Sequence, residues 1–166
     1  SAIVGAAGAA LCEMVCIHTL ERDGGAPGAQ LAEVRDGLRE RRDGLLGLAD
    51  GDAAAVEALL GLDGTDPGVR EAKRATGVPL AVAEGCLEVV EVATVVVERG
   101  TPNAAPDAVT GALLADAALR ASVATVRSNL ERLDDQAFVE EMGRRAARTE
   151  RDADRAIERL PEAGGR

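Results

Sequence analysis

Aromatic side chains are nearly missing: the chain has one phenylalanine, Phe138, and no tryptophan or tyrosine in 166 residues. A core without large rings must be filled by Ala, Val and Leu, and apolar residues make up 46% of the chain. Side chains this small suit helices that approach closely. Histidine is as scarce, with His18 alone, which excludes a di-metal helical bundle built on Glu-x-x-His pairs. A run of alternating apolar and polar residues long enough for a strand is absent, and so is a Gly-rich loop that would cradle a phosphate. Close C-x-x-C spacing is absent too. The three cysteines, Cys12, Cys16 and Cys86, give no disulfide framework and fit a reducing compartment, so a cytoplasmic location is expected. Cys12 and Cys16 share a helix face near His18, but no carboxylate or second histidine is spaced to complete a metal site. Buried free cysteines usually just pack, and no metal is expected.

Basic residues are in deficit, 19 against 29 acids, for a net charge of -10, and Lys73 is the one lysine. Such a surface repels nucleic acid and anionic membranes, so neither is expected as a partner. Strong acidity with almost no lysine suits a halophile's cytoplasm, where the Debye length falls to roughly 3 Å in 1 M salt; an ordinary acidic protein from a GC-rich genome fits equally well. Residues 1–17 are nearly uncharged but carry Glu13, lack a basic leader and are rich in weakly hydrophobic Ala and Gly. They read as a central buried helix rather than a signal or a membrane span. The chain starts at Ser1 without a methionine, so a preceding segment is expected. Its length suits a single domain over residues 1–166.

What is present is helical periodicity, and the expected fold class is all-α: a multihelical bundle of five or six helices that forms a dimer. A first helix over 2–21 places Gly5, Gly8, Ala9 and Cys12 where another backbone can come close. A second, over 29–49, carries a core stripe read by sevens, Leu31, Leu38 and Leu45, with Val34, Arg41, Leu48, Ala55 and Leu62 as the companion series. Gly51 is expected to end or kink it, leaving a shorter helix from Asp52 to about Leu62. After the loop "GLDGTDPG" and a segment at 69–76, Pro79 opens a helix that Gly100 stops. Its apolar residues cover most of its circumference, so it is buried on several sides or lies in a subunit interface. Pro106 opens a helix to about Leu133, with Leu113, Ala117, Ala121 and Ala124 on one face. The last helix starts at Asp134 or Asp135 as cap, with Phe138, Met142, Thr149, Ala153, Ile157 and Leu160 as its stripe.

Asp52 takes the next position of the stripe, where a leucine belongs. Two roles stay open for it from pattern alone: the cap of a new helix, shared with Asp50, or a buried functional carboxylate. Other polar groups in apolar surroundings are Asn103 and Asp107 in "GTPNAAPDA", and Arg127 and Asn129 in "TVRSNL". Singly, each reads more readily as a cap, a turn residue or a solvated charge.

The segments "SAIVGAAGAALCEMV", "LLGLADGDAAAV", "VPLAVAEGCLEVVE", "RGTPNAAPDA" and "VRSNL", however, are similar in order and spacing to the cyclodeaminase/cyclohydrolase family. That family comprises the C-terminal domain of formiminotransferase-cyclodeaminase and stand-alone methenyltetrahydrofolate cyclohydrolases. The resemblance implies an all-helical homodimer acting in the cytoplasm on folate-bound one-carbon units, with a tetrahydrofolate derivative as substrate. It puts the family's catalytic aspartate, the second Asp of Asp-x-Asp-Ala, on Asp52 of "DGDA". It puts Ser1, Asn103, Asp107 and Asn129 in the folate pocket. The chain departs from the family in lacking the "PGGGS" loop apart from Ser1, and in having Thr101, Pro106 and Thr125 where Asn, Ser and Asn are usual. The expected reaction is hydrolysis of 5,10-methenyltetrahydrofolate, with Asp52 stabilising the cation and taking a proton from water. Asn103 and Asn129 would bond the pterin edge and Arg127 the glutamate carboxylate. The alternatives are a 5-formiminotetrahydrofolate cyclodeaminase releasing ammonia, and a helical dimerisation module without catalysis.

Overall fold

The computed structural model describes the backbone of residues 1–23, 28–59 and 69–160, and side chains over 1–22, 28–49 and 72–160. Among these residues there are five α-helices and no strand: α1 (Ala2–Asp23), α2 (Gly28–Leu59), α3 (Val69–Arg99), α4 (Ala105–Leu130) and α5 (Gln136–Glu158). A 3-10 turn, Pro102–Ala104, leads into α4.

Helix α3 is the axis of the bundle and packs against α1, α2, α4 and α5. Its all-round apolarity is thus used inside one chain. Helices α1 and α2 run antiparallel, since Leu45 packs beside Gly5 while Arg39 and Arg42 reach Glu13. Helix α4 lies antiparallel to α1, with Gly8 on Gly111 and Gly5 near Ala118. The core is small side chains throughout: Leu31, Leu38 and Leu45 of the seven-residue series are all buried, with Val82, Ala83, Val89, Val90 and Ala93 of α3 and Ala108, Ala112, Ala115, Leu119 and Val123 of α4.

Small residues set the helix spacing. A Cβ on Gly8 would stand 2.5 Å from the carbonyl oxygen of Gly111, and one on Gly111 would stand 2.7 Å from that of Gly8. Helices α1 and α4 therefore touch backbone to backbone. By length and apolarity both could cross a bilayer, but each buries one side in this bundle.

Two expectations are corrected. Helix α2 runs through Gly51 to Leu59, because one glycine costs only about 1 kcal/mol in a helix interior and propagation from a formed helix is easy. Asp50 and Asp52 therefore lie inside a helix and cap nothing; their side chains fall outside the described residues, as do the expected loop at 61–68 and the tail at 161–166. Helix α3 starts ten residues before Pro79 and contains it. Proline lacks the N–H that would bond Ala75 four residues back, and Asn129 Nδ2 of α4 donates to that carbonyl at 2.8 Å. The face of α4 with Leu113, Ala117, Ala121 and Ala124 points outward, and Leu113 is 52% exposed. The cap of α5 is as expected: Asp135 accepts from the Phe138 backbone N–H at 3.1 Å. Lys73 at 2.6 Å and that cap bond together hold the Asp135 carboxyl below the usual carboxylate range.

Candidate functional site

Where α3 ends, the chain must turn tightly against α1. Gly100 allows it: a Cβ there would meet the Val96 carbonyl oxygen at 2.6 Å and Val15 Cγ1 at 2.8 Å. The next residue is pinned, its Thr101 N–H donating to Thr19 Oγ1 at 3.0 Å. The Thr101 hydroxyl is buried and finds no partner among the described residues. Pro102 then opens the 3-10 turn, and Asp107 falls in the first turn of α4, where the helix dipole favours a carboxylate.

This turn and the second half of α1 flank an open pocket of about 240 Å³ lined by Met14, Val15, His18, Asn103, Ala104 and Asp107. Met14, Val15 and Ala104 supply apolar surface. The amide of Asn103, the carboxylate of Asp107 and the imidazole of His18 supply polar groups that can meet a flat heterocycle at its edge. Asn103 and Asp107, eligible as turn and cap residues from sequence, are thus brought together. His18 is added by the structure. Its spacing from Met14 already put it on that residue's face of α1, apart from Cys12 and Cys16; that the turn 85 residues later would close over this face had no local signal.

The other expected site residues lie elsewhere in the same chain. Arg127 sits on α4 twenty residues past Asp107, about 30 Å along the helix at 1.5 Å per residue. Its Nη1 donates to Glu150 Oε1 of α5 at 3.1 Å, and its Nη2 pairs with Glu150 Oε2. It ties α4 to α5. Asn129 Nδ2 donates to the Ala75 carbonyl at 2.8 Å. Ser1 starts α1, its carbonyl accepting from Val4 and Gly5 N–H at 3.0 and 3.1 Å. The α2 backbone carries Asp52 thirteen residues beyond Arg39, away from the pocket, and so about 20 Å past the level of Glu13. One chain therefore has Asn103 and Asp107 at one end, and Ser1, Asp52, Arg127 and Asn129 at the other.

Two further clusters do not add chemistry to the pocket. Glu13, 3% exposed, accepts from Arg39 Nε at 2.9 Å and Arg42 Nη1 at 2.5 Å, a charge-assisted clasp between α1 and α2. The thiols of Cys12, Cys16 and Cys86 are all buried. Burial pushes them up from 9.0 to about 12, about 11 and about 12, so the thiolate that would ligate metal or attack a substrate is not available at neutral pH.

A family model described as formiminotransferase-cyclodeaminase matches residues 1–148. The methenyltetrahydrofolate cyclohydrolase of Methylorubrum extorquens is 37% identical over 157 residues, which span 85% of this chain and 74% of that protein. The crystal structure of formiminotetrahydrofolate cyclodeaminase from Thermotoga maritima matches the fold with a TM-score of 0.88 at 25% identity, covering 96% of this chain and 82% of that one.

Proposed function

The chain belongs to the formiminotransferase-cyclodeaminase family, and from that premise we propose that it hydrolyses 5,10-methenyltetrahydrofolate to 10-formyltetrahydrofolate. The observation that carries this choice is the 37% identity, over most of both chains, to a protein named for that reaction. The pocket fits such a substrate, with an apolar floor for a ring system and with Asn103 and Asp107 to accept and donate at its edge.

The substrate's methenyl carbon bridges two nitrogens that share one positive charge, so a nearby carboxylate favours the bound cation and water attacks that carbon. Asp52 takes this role, orienting the water and accepting its proton. General-base help of this kind is worth about 100-fold to 10,000-fold. Within one chain Asp52 is too far from Asn103 and Asp107 to share a ligand with them, so the working unit is a homodimer in which a second copy supplies it.

The surface that pairs is the outer face of α1 and α4. Ile3, Val4, Met14 and Leu113 are large, apolar and exposed there, Met14 also lines the pocket, and Ala7 and Ala117 continue the face. On a chain of net charge -10, an uncharged face is where a like-charged copy can approach. Exposed apolar area of this kind is buried in a cytoplasmic enzyme by self-association.

The likeness to a cyclodeaminase structure favours a second reading, in which a folate nitrogen attacks a formimino carbon and ammonia leaves. Purified protein is added to 5,10-methenyltetrahydrofolate and loss of the methenyl chromophore is followed above the spontaneous rate. Acceleration is the expected result. Ammonia release from 5-formiminotetrahydrofolate without that acceleration would replace the reading by the cyclodeaminase, and silence on both substrates by a non-catalytic module.

A further inference from the structure

The pocket holds one reactive group that the reading above leaves unused. His18 lines it opposite Asn103 and Asp107 and is exposed at its rim, while Cys12 and Cys16 are buried on another side of α1. It is also the only imidazole in the chain. Hydrolysis of a methenyl cation has a bookkeeping consequence: a cation and a neutral water give a neutral product, so each turnover leaves one proton behind.

Resting on the hydrolysis proposed above, we propose that His18 is the proton outlet of this pocket. Water adds to the methenyl carbon, forming the C–O bond, and one of its protons passes to the Asp52 carboxylate. The adduct collapses as the bond from that carbon to the ring nitrogen breaks; the electron pair goes to the nitrogen, which takes the proton back from Asp52. The remaining hydroxyl proton leaves as the C=O bond forms. That proton has no carboxylate cycle to return to, and His18 takes it and hands it to solvent. Imidazole suits this task because one ring nitrogen can accept a proton while the other donates one. The exposed position supplies the path to bulk water.

The test uses the whole chain and two variants, His18→Ala and His18→Gln, in dilute non-imidazole buffer, with kcat and KM for methenyl loss measured above the spontaneous rate. The expected outcome is a fall in kcat of about 100-fold in both variants, the lower end for a positioned acid–base group, with KM unchanged. Added imidazole should raise kcat of His18→Ala and leave the wild type as it was. Glutamine keeps the hydrogen bonding of the site but cannot carry the proton, so a fully active His18→Gln overturns the proposal. A loss confined to KM, or one that imidazole does not relieve, overturns it as well. A wild-type chain without turnover would overturn both readings, whereas an active wild type with unaffected variants removes this one alone.

Discussion

At the scale of single residues, the outcome of adding one methyl group separates the glycines that set the fold from those that merely occupy a helix. Gly8 faces the Gly111 carbonyl oxygen at 2.5 Å from where its Cβ would stand, whereas Gly44 has nothing within 4 Å. Gly8→Ala must push α1 off α4 and is expected to cost about 1–3 kcal/mol, the range for overpacking. Gly44→Ala should stabilise by about 1 kcal/mol, the helix-propensity difference. Denaturant midpoints of the two variants check this, and two shifts of the same sign would contradict the backbone contact. The buried thiols act at this scale too. Held above their ordinary 9.0, at about 11 to 12, they favour the fold fully below pH 9, and that contribution is lost as pH rises through the native values.

At the scale of the helix, Pro79 and Asn129 form one unit although 50 residues separate them. The proline leaves the Ala75 carbonyl without its helical donor, and the amide of Asn129 supplies one from the neighbouring helix. Asn129→Ala should orphan a buried acceptor at a cost of about 1–3 kcal/mol. In a Pro79→Ala background the backbone N–H returns, and the same Asn129→Ala change should cost less than half as much. A double-mutant cycle reads the coupling directly; two additive changes would mean that the amide does not stand in for the missing N–H. Asn129 thus serves the packing of α3 against α4.

At the scale of the whole molecule, the proposed dimer rests on the apolar outer face of α1 and α4 and on the separation of Asp52 from the pocket. Leu113→Asp places a charge in the middle of that face and should yield a monomer by sedimentation or size exclusion, with its helix content kept. The proposed dimer should tighten as salt rises, since two chains of charge -10 repel less when screened. Mixing two inactive variants, Asp52→Asn and Asp107→Asn, is a sharper readout. If the site is shared, a mixed dimer rebuilds one intact site from the two unmutated halves, and activity should return to about a quarter of wild type after random exchange of subunits. No recovery from a mixture that exchanges subunits would place both groups in one chain's site.

Much of this was legible in the sequence, for a reason of period. Leu31, Leu38 and Leu45 recur by sevens, and any helix with that pattern must bury them on one side; Gly5, Gly8 and Cys12 had to sit where a neighbour comes close; and Asp135 had to cap, since its side chain reaches an N–H three residues on. These are local consequences of helix geometry. What tertiary structure decided is the fate of signals whose partners are remote in the chain. Gly51 and Pro79 looked like breaks because their intrinsic costs are visible locally, while the neighbour that relieves Pro79 is not. The stripe with Leu113 and Ala117 was legible as a face, but not that it points away from its own core. Asn103 and Asp107 were nominated by motif. That they line one pocket with His18, and that Arg127 pairs with Glu150 and Asn129 with Ala75, depended on how the helices stack, because a side chain's partners are chosen by proximity in space and no spacing along the chain encodes that.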